Sequence, residues 1–469
     1  MGNQIWWLLV LVFVSLVAAV DGYEEEFRRR DGGGSGSGSG SGRGRRNTED
    51  WLLLQEIEHV VKSGGGEMNV VRGFGGKLAT APMNIGFITM EPTTLFIPHY
   101  CDSTLILFIR AGEVRVGHIY KDEMVEKSMK MGDIYRISAG SAFYLMNTAT
   151  SQRLHIICSI DTSQSLGMHT HTIQSFFIAG GTYPISLLSG FDHSTLSTAF
   201  NVSKAELGKM LTRQDDGPII YLSSSPSLWS KFLDMDQHQK LTHMRKFVQI
   251  GMEALEEEQP TWSLRKFLFR MFGKIGQRED TKSKTSNGLE PYNIYHRKPD
   301  FKNNYGWINA LDESDYSPLG HDDIGVYLVN LTAGSMMAPH INPRATEYGI
   351  VLRGGGTIQV VYPNRSLAMN TKVMEGDVFW IPRYFPFCQI ASSNDSFEFL
   401  GFTTSASKNR PKFLVGANSL LHAMRGPEFA AAFGMSKARM NEIIEAQRES
   451  IILPSARGGR AVASEGGER

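Results

Sequence analysis

Between Trp51 and Asp161 apolar residues come in short runs rich in β-branched and aromatic types, punctuated by Gly, Pro and Asp. TLILFIRAGEVRVGHIY, residues 104–120, predicts two strands about a turn, and GDIYRISAGSAFYLMNT, residues 132–148, predicts two more. Strands so short and so regularly spaced belong to a sandwich or a barrel. The same texture returns in GSMMAPHINPRATEYGIVLRGGG (334–356) and GDVFWIPRYFPFCQIA (376–391). Helical periodicity follows each block. NVSKAELGKML predicts a helix capped by Ser203, with Glu206 placed to complete a capping box and Leu207, Met210 and Leu211 on one face. GMSKARMNEII repeats it 233 residues later, with Ser436 as cap and Met440, Ile443 and Ile444 on the equivalent face. One unit of strands plus helices is therefore used twice.

The ends and the join read differently. Ile5 to Val20 is almost continuously apolar, with Ala18 and Ala19 placed for a signal peptidase, so residues 1–22 read as a cleaved secretory signal. An uncleaved anchor is the alternative, because Met1 to Gln4 carries no Lys or Arg. Residues 23–50 hold EEE, RRR and GGGSGSGSGSGRGRR, which cannot bury a core and read as disordered. The first unit then spans 51–252, a charged linker 253–290, the second unit 291–455 and a disordered tail 456–469. The linker contains SLRKFLFRMFGKI, an amphipathic piece read as packing on a barrel or a neighbouring subunit rather than on a membrane. First proteolytic cuts are expected in 23–50 and 275–288.

At 469 residues, with 48 Lys and Arg against 48 Asp and Glu, the chain has two or three domains and no electrostatic case for nucleic acid. Cys101, Cys158 and Cys388 are too few for a disulfide framework. Cys101 and Cys158 pair only if their strands are neighbours, and Cys388 reads as a small buried hydrophobe. The His169–His171 pair has metal-like spacing but sits in a loop-like stretch.

The stretch from Gly334 to Gly354 matches the first cupin signature, Gly-x5-His-x-His-x4-Glu-x6-Gly, through Gly334, His340, Glu347 and Gly354, with Asn342 in place of the second His. Gly376 and Pro382 fit the second signature, Gly-x5-Pro-x-Gly-x2-His-x3-Asn, while Tyr384, Phe387 and Ala391 replace its Gly, His and Asn. The earlier block carries His99, Cys101, Leu105 and Gly112 with one residue fewer in the turn, then Gly132, Gly140 and Asn147 in the register of Gly376, Tyr384 and Ala391, with Ser138 for Pro and Phe143 at the His position. With FYLMN, AFNVSKAEL and KPDFKNNYGW in their order, residues 51–454 resemble the vicilin-type seed storage globulins. The resemblance implies an all-β fold with helical extensions, two tandem cupin (jelly-roll) barrels each followed by an α-helical arm. It also implies a homotrimer joined head to tail through those arms, and delivery to the protein storage vacuole, with secretion from the cell as the alternative.

A metal-holding cupin uses three imidazoles and a carboxylate. The first barrel keeps only His99, so a packed apolar interior is expected there. In the second, His340, Glu347 and Asn342 are the candidate ligands for a divalent cation; the competing reading has the three satisfying one another by hydrogen bonds. Phe387 puts apolar bulk at the fourth position, so no catalytic residues and no resident cofactor are expected. Four sequons, at Asn201, Asn330, Asn364 and Asn394, are candidate glycosylation sites, with Asn364, in the turn YPNRS, foremost. The reading is a non-enzymatic nutrient reservoir protein whose partner is its own kind, with no membrane contact after signal cleavage. The alternative is a vicilin-like cupin that binds a metal ion or small ligand in the second barrel, since the chain lacks a long Glu- and Gln-rich extension.

Overall fold

The computed structural model describes residues 51–73, 83–120, 123–163, 165, 173–222, 290–407 and 409–455. The signal segment, the Gly/Ser-rich stretch, His169–His171, the amphipathic linker piece, both expected cleavage regions and the tail lie outside these residues. The rest forms two β-barrels in tandem, each followed by short helices.

In the first barrel a seven-stranded and a six-stranded sheet divide at Gly112, between the strands Thr104–Ala111 and Glu113–Tyr120. In the second, one 15-residue strand, Glu347–Val361, runs through the corresponding bend and belongs to both faces. Both bends need glycine. Gly112 and Gly354 have φ of +86° and +69°, and a Cβ on Gly354 would lie 1.8 Å from the Ser396 carbonyl oxygen. The last glycine of the first motif is thus a backbone requirement of barrel closure.

Leu105, Leu107 and Ile109 fill the first barrel with Ile156 and Cys158, whereas Ile106 and Phe108 of the same strand join a core continuous with the second barrel. That strand is buried on both faces, which is why LILFI does not alternate with polar residues.

The halves also exchange strands. Leu53–Leu54 pairs with Val378 and Phe379 of the second barrel, and Tyr292–Asn293 pairs with Asp133 and Ile134 of the first. Strand pairing thus crosses between the two units read from the sequence, 51–252 and 291–455. Tertiary packing decides the first crossing: the Trp51 ring meets Trp380 edge-on at 5.3 Å, and Trp380 Nε1 donates to the Trp51 carbonyl at 3.1 Å. A second tie is ionic. Arg136 of the first barrel donates through Nε and Nη2 to both oxygens of Asp322 in the second, with the two side chains 16% and 5% exposed.

Each helical arm leaves and rejoins one barrel edge. Ser175–Phe177 and Ile219–Tyr221 both pair with Thr94–Cys101, on either side of the helices His193–Phe200 and Lys204–Thr212. In the second unit Lys412–Phe413 and Ile452–Pro454 bracket the helices Leu420–Ala423, Pro427–Ala432 and Lys437–Glu445 in the same way. Ser203 and Ser436 cap as expected, accepting from the Glu206 and Arg439 amides at 3.2 Å. Glu206 makes no return bond, so the capping box is only half formed. The apolar stripe is also narrower than its spacing suggests. Leu207 and Leu211 pack against Leu196, and Met440 and Ile444 against Ala430, but Met210 and Ile443 stay 47% and 46% exposed. Among the described residues the packing on these helices comes from the arms themselves, and the third residue of each stripe is exposed.

Candidate functional site

The strand ends Thr94–Cys101 and His340–Ile341 carry the two motif histidines into their barrels. His99 Nδ1 donates to the Ile97 carbonyl at 2.8 Å, and His340 Nδ1 donates to the Ala338 carbonyl at 2.7 Å. A carbonyl can only accept, so each ring carries its proton on Nδ1. The ladders set His99 opposite Phe143 and His340 opposite Phe387. The paired rings stand 4.3 and 4.0 Å apart, with Phe96 against His99 at 4.3 Å and Phe413 against His340 at 5.1 Å. An aromatic ring thus occupies the place of the third imidazole in both barrels.

Beside His99, Cys101 and Leu105 are buried, the Cys101 sulfur lies 3.7 Å from the Ser175 hydroxyl, and burial pushes the Cys101 thiol up to about 12. All three cysteines are free and buried. Cys101 and Cys158 lie on strands of different sheets and are not bonded.

In the second barrel Asn342 Nδ2 donates to Glu347 Oε1 at 2.8 Å, while Asn342 Oδ1 accepts the amides of Arg344 and Ala345 at 3.1 and 3.0 Å. The oxygen that would bind a cation is therefore spent on the turn, and Asn342 is not a free ligand. The competing reading is also amended: His340 takes its bond from the backbone, not from Glu347. Glu347 is buried, and burial raises its carboxyl above the usual range against the opposing effects of Asn342 and Tyr327. The Tyr327 hydroxyl faces that carboxyl closely enough to act on it, but falls short of hydrogen-bond geometry. One imidazole nitrogen and one carboxylate remain of a four-donor set, a poor fit to a firmly held first-row metal. Among the described residues no three His, Cys, Asp or Glu side chains converge.

Pattern reading missed Tyr327 and a third buried histidine, His118, whose Nδ1 lies 3.1 Å from the Tyr135 hydroxyl. Alternation with Val114 and Val116 on the strand Glu113–Tyr120 is the signal that places His118 inward. At the second-motif glycine, Tyr384 keeps the left-handed conformation, with φ +72°, that Gly140 adopts at +75° in the first barrel. Its amide donates to the Asn342 carbonyl at 2.9 Å, which holds the strained residue in place.

The histidines make the fold acid-sensitive. Burial lowers His99 and His340 to about 4, opposed by their carbonyl bonds. Between pH 6.5 and about 4 the unfolded chain binds two protons that the folded chain refuses, so stability falls with pH across that window. The loss approaches roughly 3 kcal/mol per imidazole at its acid end. Glu347 acts oppositely: its raised carboxyl takes up its proton earlier when folded, which returns some stability on acidification. A double His99→Leu, His340→Leu variant should lose less melting temperature than the parent between pH 6.5 and 4, and parallel curves would refute the assignment.

Of the sequon asparagines, Asn201, Asn364 and Asn394 are exposed and Asn330 is half-buried in a strand. No helix among the described residues is long and apolar enough to cross a membrane.

Comparison with known proteins agrees with this geometry. The family described as Cupin matches residues 292–441. A vicilin-like seed storage protein of Arabidopsis thaliana is 52% identical over 86% of this chain and 80% of its own length. A second from the same plant is 30% identical over 80% of this chain but 49% of its own length, so the chain spans about half of that relative. Among solved structures, a vicilin of Solanum melongena superposes with a TM-score of 0.68 at 19% identity, covering 87% of this chain and 98% of the other. Its structure is described as revealing different anionic ligands in structurally similar pockets. Two cupin barrels with eroded metal positions, paired arms and majority identity to an Arabidopsis relative have one common explanation: the chain belongs to the vicilin-like seed storage proteins.

Proposed function

We propose that this protein is a seed reserve: a non-enzymatic package of amino acids that enters the secretory pathway, accumulates in the storage vacuole and is later hydrolysed. The observation that carries the reading is the filling of both barrels by their own side chains, Phe143 on His99 and Phe387 on His340, which leaves close packing where a cupin enzyme keeps open metal positions. The 52% identity to a vicilin-like storage protein supports it. Such a package is a homotrimer in this reading. Exposed Met210 and Phe200 on the first arm, and Ile443 and Phe433 on the second, supply apolar surface for joining protomers.

The test is abundance through seed maturation, dry storage and germination, by quantitative mass spectrometry. Accumulation to a high level in dry seed, then depletion on germination, is the expected result. Low or steady abundance, or expression mainly in vegetative tissue, would overturn it in favour of a ligand-binding role for the second barrel. The Asn342–Glu347–Tyr327 cluster, the polar part of that interior, and the anion-holding pockets of the Solanum melongena relative are what favour that second reading.

A further inference from the structure

We infer that Asn364 is a built N-glycosylation acceptor and that Asn330 is closed to the same modification. The inference rests on the secretory reading above.

Asn364 lies exposed in the turn between the strands Glu347–Val361 and Leu367–Met374. Its Oδ1 accepts both from the Ser366 amide, at 3.0 Å, and from the Ser366 hydroxyl, at 2.7 Å. The two polar groups of the sequon's third residue are thus gathered onto the asparagine side chain, and among the described residues Nδ2 has no hydrogen-bond partner. The turn is made locally: Arg365 donates its amide to the Tyr362 carbonyl at 2.9 Å, and Tyr362 donates to that of Ser366 at 2.9 Å. These bonds span five residues, so they are available to a chain still emerging, before either barrel forms. Arg365 holds the left-handed conformation, φ +79°, that brings Ser366 back over Asn364.

None of the other sequons has this arrangement. Ser203 uses its hydroxyl as a helix cap, and Asn201 is the left-handed terminus of the preceding helix. Asn394 accepts from Ser393, while the Ser396 amide goes to Asp395. Asn330 stands in a row with Trp307, Glu398 and Arg353 across four strands. Tyr295 lies over that row, with its hydroxyl on Glu398 at 3.1 Å and its ring edge-on to Trp307. A glycan on Asn330 would have to displace that packing.

The reaction needs a lipid-linked oligosaccharyl diphosphate and its transferase. The sugar C1–O bond to phosphate breaks, C1 bonds to Asn364 Nδ2, the amide gives up one proton, and the lipid diphosphate leaves with the bonding pair. Nothing is oxidised or reduced.

The full chain is expressed in plant cells with its own residues 1–22 or with the leader of an established secretory protein. Releasing glycans with an amidase in heavy-oxygen water converts an occupied asparagine to labelled aspartate, read by peptide mass spectrometry. With the foreign leader, label at 364 is expected, lost in Asn364→Gln and Ser366→Ala and kept in Ser366→Thr, with unchanged melting temperatures. No label at 364 with that leader, or label at 330 in folded secreted protein, overturns the inference. Label with the foreign leader but not the native one upholds it and refutes the secretory reading instead.

Discussion

Gly401→Ala is expected to destabilise the chain by about 1–3 kcal/mol through overpacking. Tyr327, Gly401, Gly349 and Phe379 stand side by side across four strands. Each glycine lies under the aromatic ring beside it. A Cβ on Gly401 would sit 2.0 Å from Tyr327 Cζ, and one on Gly349 would sit 2.1 Å from Phe379 Cζ. Phe399 stands edge-on to both rings, at 6.4 Å from Tyr327 and 6.0 Å from Phe379, so neither retreats freely. Moving Tyr327 also takes its hydroxyl from Glu347, the carboxylate that burial already penalises. Denaturant unfolding of the single variant and of Gly401→Ala, Tyr327→Leu separates the causes. The double variant should be less destabilised than the sum of its parts. A single-variant loss under about 0.5 kcal/mol would mean the ring has room to move.

Asp322→Ala is expected to cost about 3–5 kcal/mol, because it strands the Arg136 charge between the barrels. The pair is bidentate and largely buried, and Arg136 Nη1 is already committed to Ser138 at 2.6 Å, so the guanidinium has no easy route to water. The loss should appear as weaker cohesion of the halves, with a broader or more divided unfolding transition than that of the parent. Replacing both residues, as Arg136→Met with Asp322→Leu, should recover most of the loss, since an apolar pair leaves no uncompensated charge. If the double variant were as unstable as Asp322→Ala alone, the clamp would not be the cause.

Much of this was legible in the chain. The periods of the strand blocks, the serine caps 233 residues apart and the motif glycines are local, and local rules placed them. Asn342 shows where such rules stop. Its spacing says ligand, but whether its oxygen is available depends on two amides of the turn that follows. Tyr327 lies twenty residues before Glu347 and meets it only because their strands flank a third, Phe397–Thr403. Met210 and Ile443 fit a helical stripe, yet burial of a stripe depends on what packs against it, and periodicity says nothing of that. The strand exchange at Leu53–Leu54 was hidden for the same reason: a strand signal does not name its partner.

That exchange makes the molecule laced rather than merely strung. The first half of the chain supplies an edge to the second barrel, the second half supplies one to the first, and the Met83 amide reaches across to the Tyr348 hydroxyl. A backbone cut between the two halves therefore severs the covalent thread without undoing the strand pairing that crosses between them. The two pieces would stay together as a noncovalent heterodimer holding the shape of the parent. For a reserve, nicking and dismantling become separate events: a first cut leaves a particle still packed and soluble, and digestion waits until the lacing itself is pulled.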